Sequence, residues 1–167
     1  LTEAVWRRLS NVSSIYGNPY VVIAEVKRLY VDFNRTQACA YDDPNAAPYY
    51  AEYHAKVREF IDEMRVRFPN SPKFLFSIHG TAGVAPDTAA VYIGTNNGNT
   101  GDPDTSIKTL IARDPNTLVF LRNLFLSQGY GTQPSAPDEV ESYAGGYMVD
   151  TYGSQNVDGI EAFCLEV

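Results

Sequence analysis

Histidine and cysteine are scarce in this chain, with two of each among 167 residues. Cys39 and Cys164 are too few for a disulfide framework, and whether they pair is not written in the sequence. The CxxC and CxxH spacings of structural zinc sites are missing. Basic charge is also short: thirteen Lys and Arg stand against twenty Asp and Glu, a net charge of −7. With no basic run and no RNA-binding aromatic motif, nucleic acid is not an expected partner. No apolar run is long enough to span a bilayer as a helix and no signal peptide is read at the start, so no membrane partner is expected and the compartment stays open. Polar tails are missing too. The chain runs from Leu1 straight into a helical pattern and stops at Val167, just past an apolar run. Those ends are expected of a fragment that lacks the first strands of a longer domain.

What is present suffices for a core. At 44% hydrophobic and 13% aromatic, the chain is expected to form one domain over residues 1–167. Val5, Leu9, Val12 and Tyr16 recur at helical spacing, predicting a helix over 2–15 that Gly17-Asn18-Pro19 stops. Residues 20–26 are rich in Val and Ile and read as a buried strand, with 29–33 continuing or extending it. A turn-rich stretch around Asp42-Asp43-Pro44-Asn45 follows. From Ala47 the stripe Tyr50, His54, Val57, Ile61, Met64 and Phe68 predicts a long helix, ended by Pro69-Asn70-Ser71-Pro72. Strands are predicted over 73–78, 89–93 and 160–167. A helix opening at Asp114-Pro115 carries Leu118, Leu121 and Phe125 and ends near Gly129. The polar loops over 94–104 and 130–141 are long enough for binding or lid roles. Helices alternating with apolar strands imply an α/β fold, its mostly parallel or mixed sheet flanked by helices on both faces. Asn11-Val12-Ser13 and Asn34-Arg35-Thr36 fit the glycosylation sequon, a pattern that also occurs by chance.

Three apolar runs end in chemically capable residues: Asp32-Phe33-Asn34-Arg35, Ser77-Ile78-His79-Gly80 and Phe163-Cys164-Leu165-Glu166. Open α/β sheets place their sites at the carboxyl ends of strands. A guanidinium offers a carboxylate a bidentate fork, with an adjacent amide as a further donor. A neutral imidazole can ligate a metal, and a carboxylate can move a proton. In an acidic protein, Arg35 with Lys27 and Arg28 can form a local cationic pocket. Together these residues point to a metal-dependent hydrolase acting on an acidic small molecule. The plainer readings are a surface ion pair at Asp32-Arg35, a strand cap at His79 and a chain-end carboxylate at Glu166. Glu161 is a neighbouring carboxylate on the same run. His54, on the apolar stripe of the long helix, reads as a core or supporting histidine.

The succession Val31-Asp32-Phe33-Asn34-Arg35, Tyr50 through His54, Ser77-Ile78-His79-Gly80, Tyr92-Ile93-Gly94, Tyr143-Ala144-Gly145-Gly146-Tyr147 and Leu165-Glu166 resembles the N-formylglutamate amidohydrolase family, relatives of the zinc carboxypeptidases. The likeness runs from Pro19 to Val167. It implies a zinc carboxypeptidase-like (phosphorylase/hydrolase-like) fold and a zinc ion held in part by His79. It implies that Asn34 and Arg35 grip the substrate carboxylate, with Arg28 as a second cationic contact, Asp32 orienting the loop, and Tyr147 closing over substrate. Glu166 matches the catalytic glutamate, the general base toward the water that zinc activates. The family's early histidine and carboxylate ligands have no counterpart, since no His-x-x-Glu or His-Ser-Gly motif occurs. Loss of the first strands is the expected reason; a decayed site, or zinc taken by an unrelated carboxylate, are the others. The implied function is zinc-dependent hydrolysis of the amide of an N-acyl acidic amino acid. The alternatives are a carboxypeptidase-type peptidase on the same scaffold and a metal-free carboxylate-binding module. Acyl group and oligomeric state are not legible.

Overall fold

The computed structural model describes residues 7, 19–81, 91–96, 104–133 and 143–167. The expected helix over 2–15 (Arg7 apart, which is helical), the sequon at 11–13 and most of the two polar loops lie outside those residues. The chain divides into two compact units, Leu1–Ser71 and Pro72–Val167.

The first unit is organised on helix α1, Ala47–Arg67. Its stripe buries Tyr50, His54, Val57 and Ile61, as the spacing predicts. A 3-10 turn, Pro44–Ala46, leads in, and the Asp43 side chain accepts the Asn45 N–H at 2.9 Å. Phe68 caps the other end just before Pro69, whose ring disfavours helix in the residue ahead of it. On the outer surface, Lys56–Glu59, Asp62–Arg65 and Glu63–Arg67 pair three or four residues apart. Such exposed pairs are screened by solvent and contribute little to stability.

The expected strand over 20–26 does not form. Residues 19–25 are irregular, and the Ile23 side chain is exposed. Tyr20 instead packs its ring on Phe60 of α1 (5.0 Å between centroids) and donates its hydroxyl hydrogen to Glu63 at 2.8 Å. A β-rich segment becomes a strand only with a ladder to join, and none lies beside it among the described residues. Residues 28–30 likewise turn, leaving Leu29 87% exposed.

The second unit is a four-stranded mixed sheet with strands β1 (Phe74–His79), β2 (Val91–Gly94), β3 (Thr132–Gln133) and β4 (Glu161–Glu166). The order is β1-β4-β2-β3. β1 runs parallel to β4 and β2 parallel to β3, while β4 and β2 are antiparallel. Side chains alternate across β4, so Phe163 and Leu165 face one side and Ala162 and Cys164 the other. On the first side Phe163 joins Val91, Ile93, Ile107 and Leu118, with Leu110, Leu121 and Phe125 packed against them. Ile107, Leu110, Leu118, Leu121 and Phe125 come from helices α2 (Lys108–Arg113) and α3 (Thr117–Ser127) and the residue before α2. On the second side Val149 of helix α4 (Tyr147–Tyr152) packs with Ala162, Cys164 and Leu75. Helices therefore cover both faces, and the α/β class stands.

The helix expected at Asp114-Pro115 begins at Thr117. Asp114 instead closes a turn over Pro115-Asn116, its carboxylate accepting the Asn116 N–H at 2.9 Å and its carbonyl the Thr117 N–H at 3.1 Å. Gly129, at φ +85°, follows the helix end, in the left-handed region that glycine tolerates. Helices α2 and α4 and the two-residue strand β3 were not legible as elements. Each is too short for a periodic signal, and the turn expected at Gly145-Gly146-Tyr147 is the entry to α4. Among the described residues no helix is long and apolar enough to cross a membrane.

Candidate functional site

In the second unit the parallel register pairs Leu75 with Ala162, Ser77 with Cys164 and His79 with Glu166. Leu75 packs on the Ala162–Cys164 side, so alternation brings Ser77, His79, Cys164 and Glu166 to that same face. His79 and Glu166 close their strands side by side at the carboxyl ends. The ligand-capable atoms of His79, Cys164 and Glu166 all lie within 4.8 Å of one another. The Cys164 thiol donates toward Glu166 Oε1 at a sulfur distance of 3.8 Å. Cys164 is 1% exposed, whereas His79 and Glu166 are half-buried, so the cluster opens toward the strand ends.

Supporting contacts hold this edge. Ser77 Oγ lies 2.8 Å from His79 Nε2, and a hydroxyl can give or take the shared hydrogen, so it serves either tautomer of the ring. The ladder continues past the strands: the Val167 N–H donates to the His79 carbonyl and the Thr81 N–H to the Val167 carbonyl, both at 3.0 Å. Thr81 Oγ1 meets the Tyr143 hydroxyl at 2.7 Å, and the Tyr143 ring lies on Tyr92, the register partner of Glu166. A Cβ at Gly94 would collide with the backbone of Tyr143 and Ala144, so only glycine lets that segment close over β2.

Glu161 is not interchangeable with Glu166. Five positions apart on one strand, the two point to opposite faces. Glu161 is buried and accepts a hydrogen bond from Ser154 Oγ at 3.0 Å. Burial raises its pKa, against the lowering by that bond, by the Leu110 N–H and by Arg113. Its partners are those of a core carboxylate tying α2 to β4.

The carboxylate-gripping residues lie in the first unit. Asp32 Oδ2 accepts from Arg28 Nε at 2.9 Å and from Arg35 Nε at 3.4 Å, while Oδ1 accepts the Asn34 N–H at 3.0 Å. The two arginine side chains are 63% and 61% exposed. Aromatic packing positions the loop that carries them. The Asp32 N–H donates to the Ala40 carbonyl, the Tyr50 hydroxyl to the Arg35 carbonyl, each at 2.8 Å, and Phe33 stacks on Tyr53 at 4.4 Å. His54 lies under Tyr50, 4.3 Å between ring centres, and is buried. Burial chiefly, then the nearby Arg58 charge, lowers its pKa to about 4, although a hydrogen bond with the Phe33 backbone opposes the shift. It is a neutral core histidine at neutral pH.

Tyr147 opens α4 and is half-buried, after Gly145 and Gly146 at φ +154° and +97°. Lys27 is exposed. The fold thus gathers His79 and Glu166 in the second unit and Arg28, Asn34 and Arg35 around Asp32 in the first. Cys164 is the member of the cluster that sequence reasoning did not single out. Its i, i+2 spacing from Glu166 was the available signal, once both were placed on a strand. Neither cysteine is in a disulfide, and Cys39 is exposed.

Compared with family models, curated proteins and solved structures, the chain matches none.

Proposed function

We propose that this chain belongs with the N-formylglutamate amidohydrolases on a zinc carboxypeptidase-like fold, and serves zinc-dependent hydrolysis of the amide of an N-acyl acidic amino acid. The observation that carries this reading is the register pairing of His79 with Glu166 at the carboxyl ends of two parallel strands, on one face. The donors there fit zinc, an imidazole nitrogen beside a thiol sulfur, and the half-buried Glu166 carboxylate lies next to them for the proton.

A bound zinc ion supplies Lewis acidity, polarising the acyl carbonyl and acidifying water. His79, oriented by Ser77, would hold the ion. Glu166 takes the proton of the attacking water and returns it to the departing amine, a role suited to a half-buried carboxylate at an open strand end. In the first unit, Asp32 uses the Nε atoms of Arg28 and Arg35, so the outer nitrogens of each guanidinium are the ones a substrate carboxylate would meet. Asn34 adds its amide and Tyr147 covers the substrate, the roles that the resemblance gives them.

The test is hydrolysis of N-formyl- and N-acetylglutamate with added zinc, beside glutamyl dipeptides. Faster release from the N-acyl amino acids supports the amidohydrolase; faster cleavage of the dipeptides favours a peptidase. A second reading rests on the arginine pair, whose arrangement by Asp32 needs no metal. A metal-free carboxylate-binding module would bind glutarate or N-acylglutamate equally well with a chelator present, and would turn nothing over.

A further inference from the structure

We infer that Cys164 is a thiolate ligand of the metal, the protein's second ligand beside His79. This rests on the proposed metal-dependent reading and deepens it. Three observations converge. The Cys164 side chain shares the face of His79 and Glu166, and its sulfur lies within 4.8 Å of a ligand atom of each. Zinc–sulfur and zinc–nitrogen bonds of about 2.3 and 2.0 Å in a tetrahedron set the two donors about 3.5 Å apart.

Burial gives the second argument. Cys164 sits at the rear of the cluster against Ala162, Val149 and Leu75, while His79 and Glu166 are more open. An inner ligand in an apolar wall, with the free positions toward solvent, is the layout that lets substrate and water reach a bound ion. A small core cysteine would pack equally well among these residues. What sets this one apart is two further metal-capable side chains within reach of its sulfur.

The third argument is chemical. A thiolate gives a bound ion a second donor beside the imidazole while leaving Glu166 for the proton. A sulfur donor also restricts the ion to borderline-soft metals such as zinc, cobalt and cadmium, and disfavours magnesium and calcium. On binding, the Cys164 S–H gives up its proton to solvent and the sulfur–metal bond forms, with no change of oxidation state.

Cobalt(II) is the probe, titrated into the full chain and read by the near-ultraviolet thiolate-to-cobalt charge-transfer band. The expected result is one equivalent bound with the band present, the band persisting in Cys39→Ser and vanishing in Cys164→Ser. Because the chain has only two cysteines, a band in Cys39→Ser can come only from Cys164, whether or not Cys164→Ser folds. Cobalt bound stoichiometrically to Cys39→Ser without the band would overturn thiolate ligation and leave the metal-dependent reading standing. No cobalt or zinc retained by the unaltered chain would overturn both.

Discussion

Two histidines of the same chain meet opposite fates, and the physics of each is local. His54 is buried against Tyr50 with its pKa lowered to about 4, so the folded state favours the neutral ring. The stability this gives is complete above the unfolded value near 6.5 and is lost as pH falls from there toward about 4. That amounts to roughly 3 kcal/mol. Urea unfolding at pH 7, 5 and 4 should show the decline, and His54→Gln should flatten it while lowering stability at pH 7. An equal slope in the variant would mean that other groups carry the acid sensitivity. Its place on the apolar stripe made His54 legible as a core residue. At Glu166→Gln, kcat should fall by about 10²–10⁴ with metal content unchanged, as expected of a proton-transfer group that is not a ligand. Arg35→Ala should raise KM by about 10–100-fold, the range for losing a charge-assisted hydrogen bond, with kcat nearly preserved. Steady-state kinetics with N-acylglutamate separates the two behaviours.

At the scale of elements, what the sequence made visible is what periodicity can carry. The 21 residues of α1 repeat their apolar stripe through several turns, and β1 and β4 are compact apolar runs ending at His79 and near Glu166. Residues 20–26 carry the same strand composition and form none, because pairing is a property of neighbours and Tyr20 finds Phe60 and Glu63. The same limit hid Cys164. Its companionship with His79 depends on the register of two strands more than 80 residues apart, as the pairing of Ser77 with Cys164 shows. Backbone proximity sets a further prediction. Gly94→Ala would drive a methyl group into the Tyr143 and Ala144 backbone and should destabilise the second unit by about 1–3 kcal/mol or more, measured by chemical unfolding. A neutral effect would mean that the 143–144 segment is not held against β2.

Across the whole molecule, the acidic balance of −7 coexists with a local arginine pair organised by one aspartate. Net charge would repel an acidic ligand at long range, so recognition must come from short-range bidentate contact with the guanidinium groups. The guanidinium groups lie in the first unit, and the metal-capable donors with Glu166 lie in the second. The α/β class, with a mostly parallel or mixed sheet, was legible from alternating elements. The strand order was not, since which strands become neighbours leaves no mark in composition.

Zinc content of the purified chain, measured beside the His79→Ala variant, tests the central claim most directly. One tightly held zinc per chain, lost in the variant, is the predicted result. A chain that holds none after zinc loading, or a variant that retains it in full, would contradict a metal centre at the ends of β1 and β4.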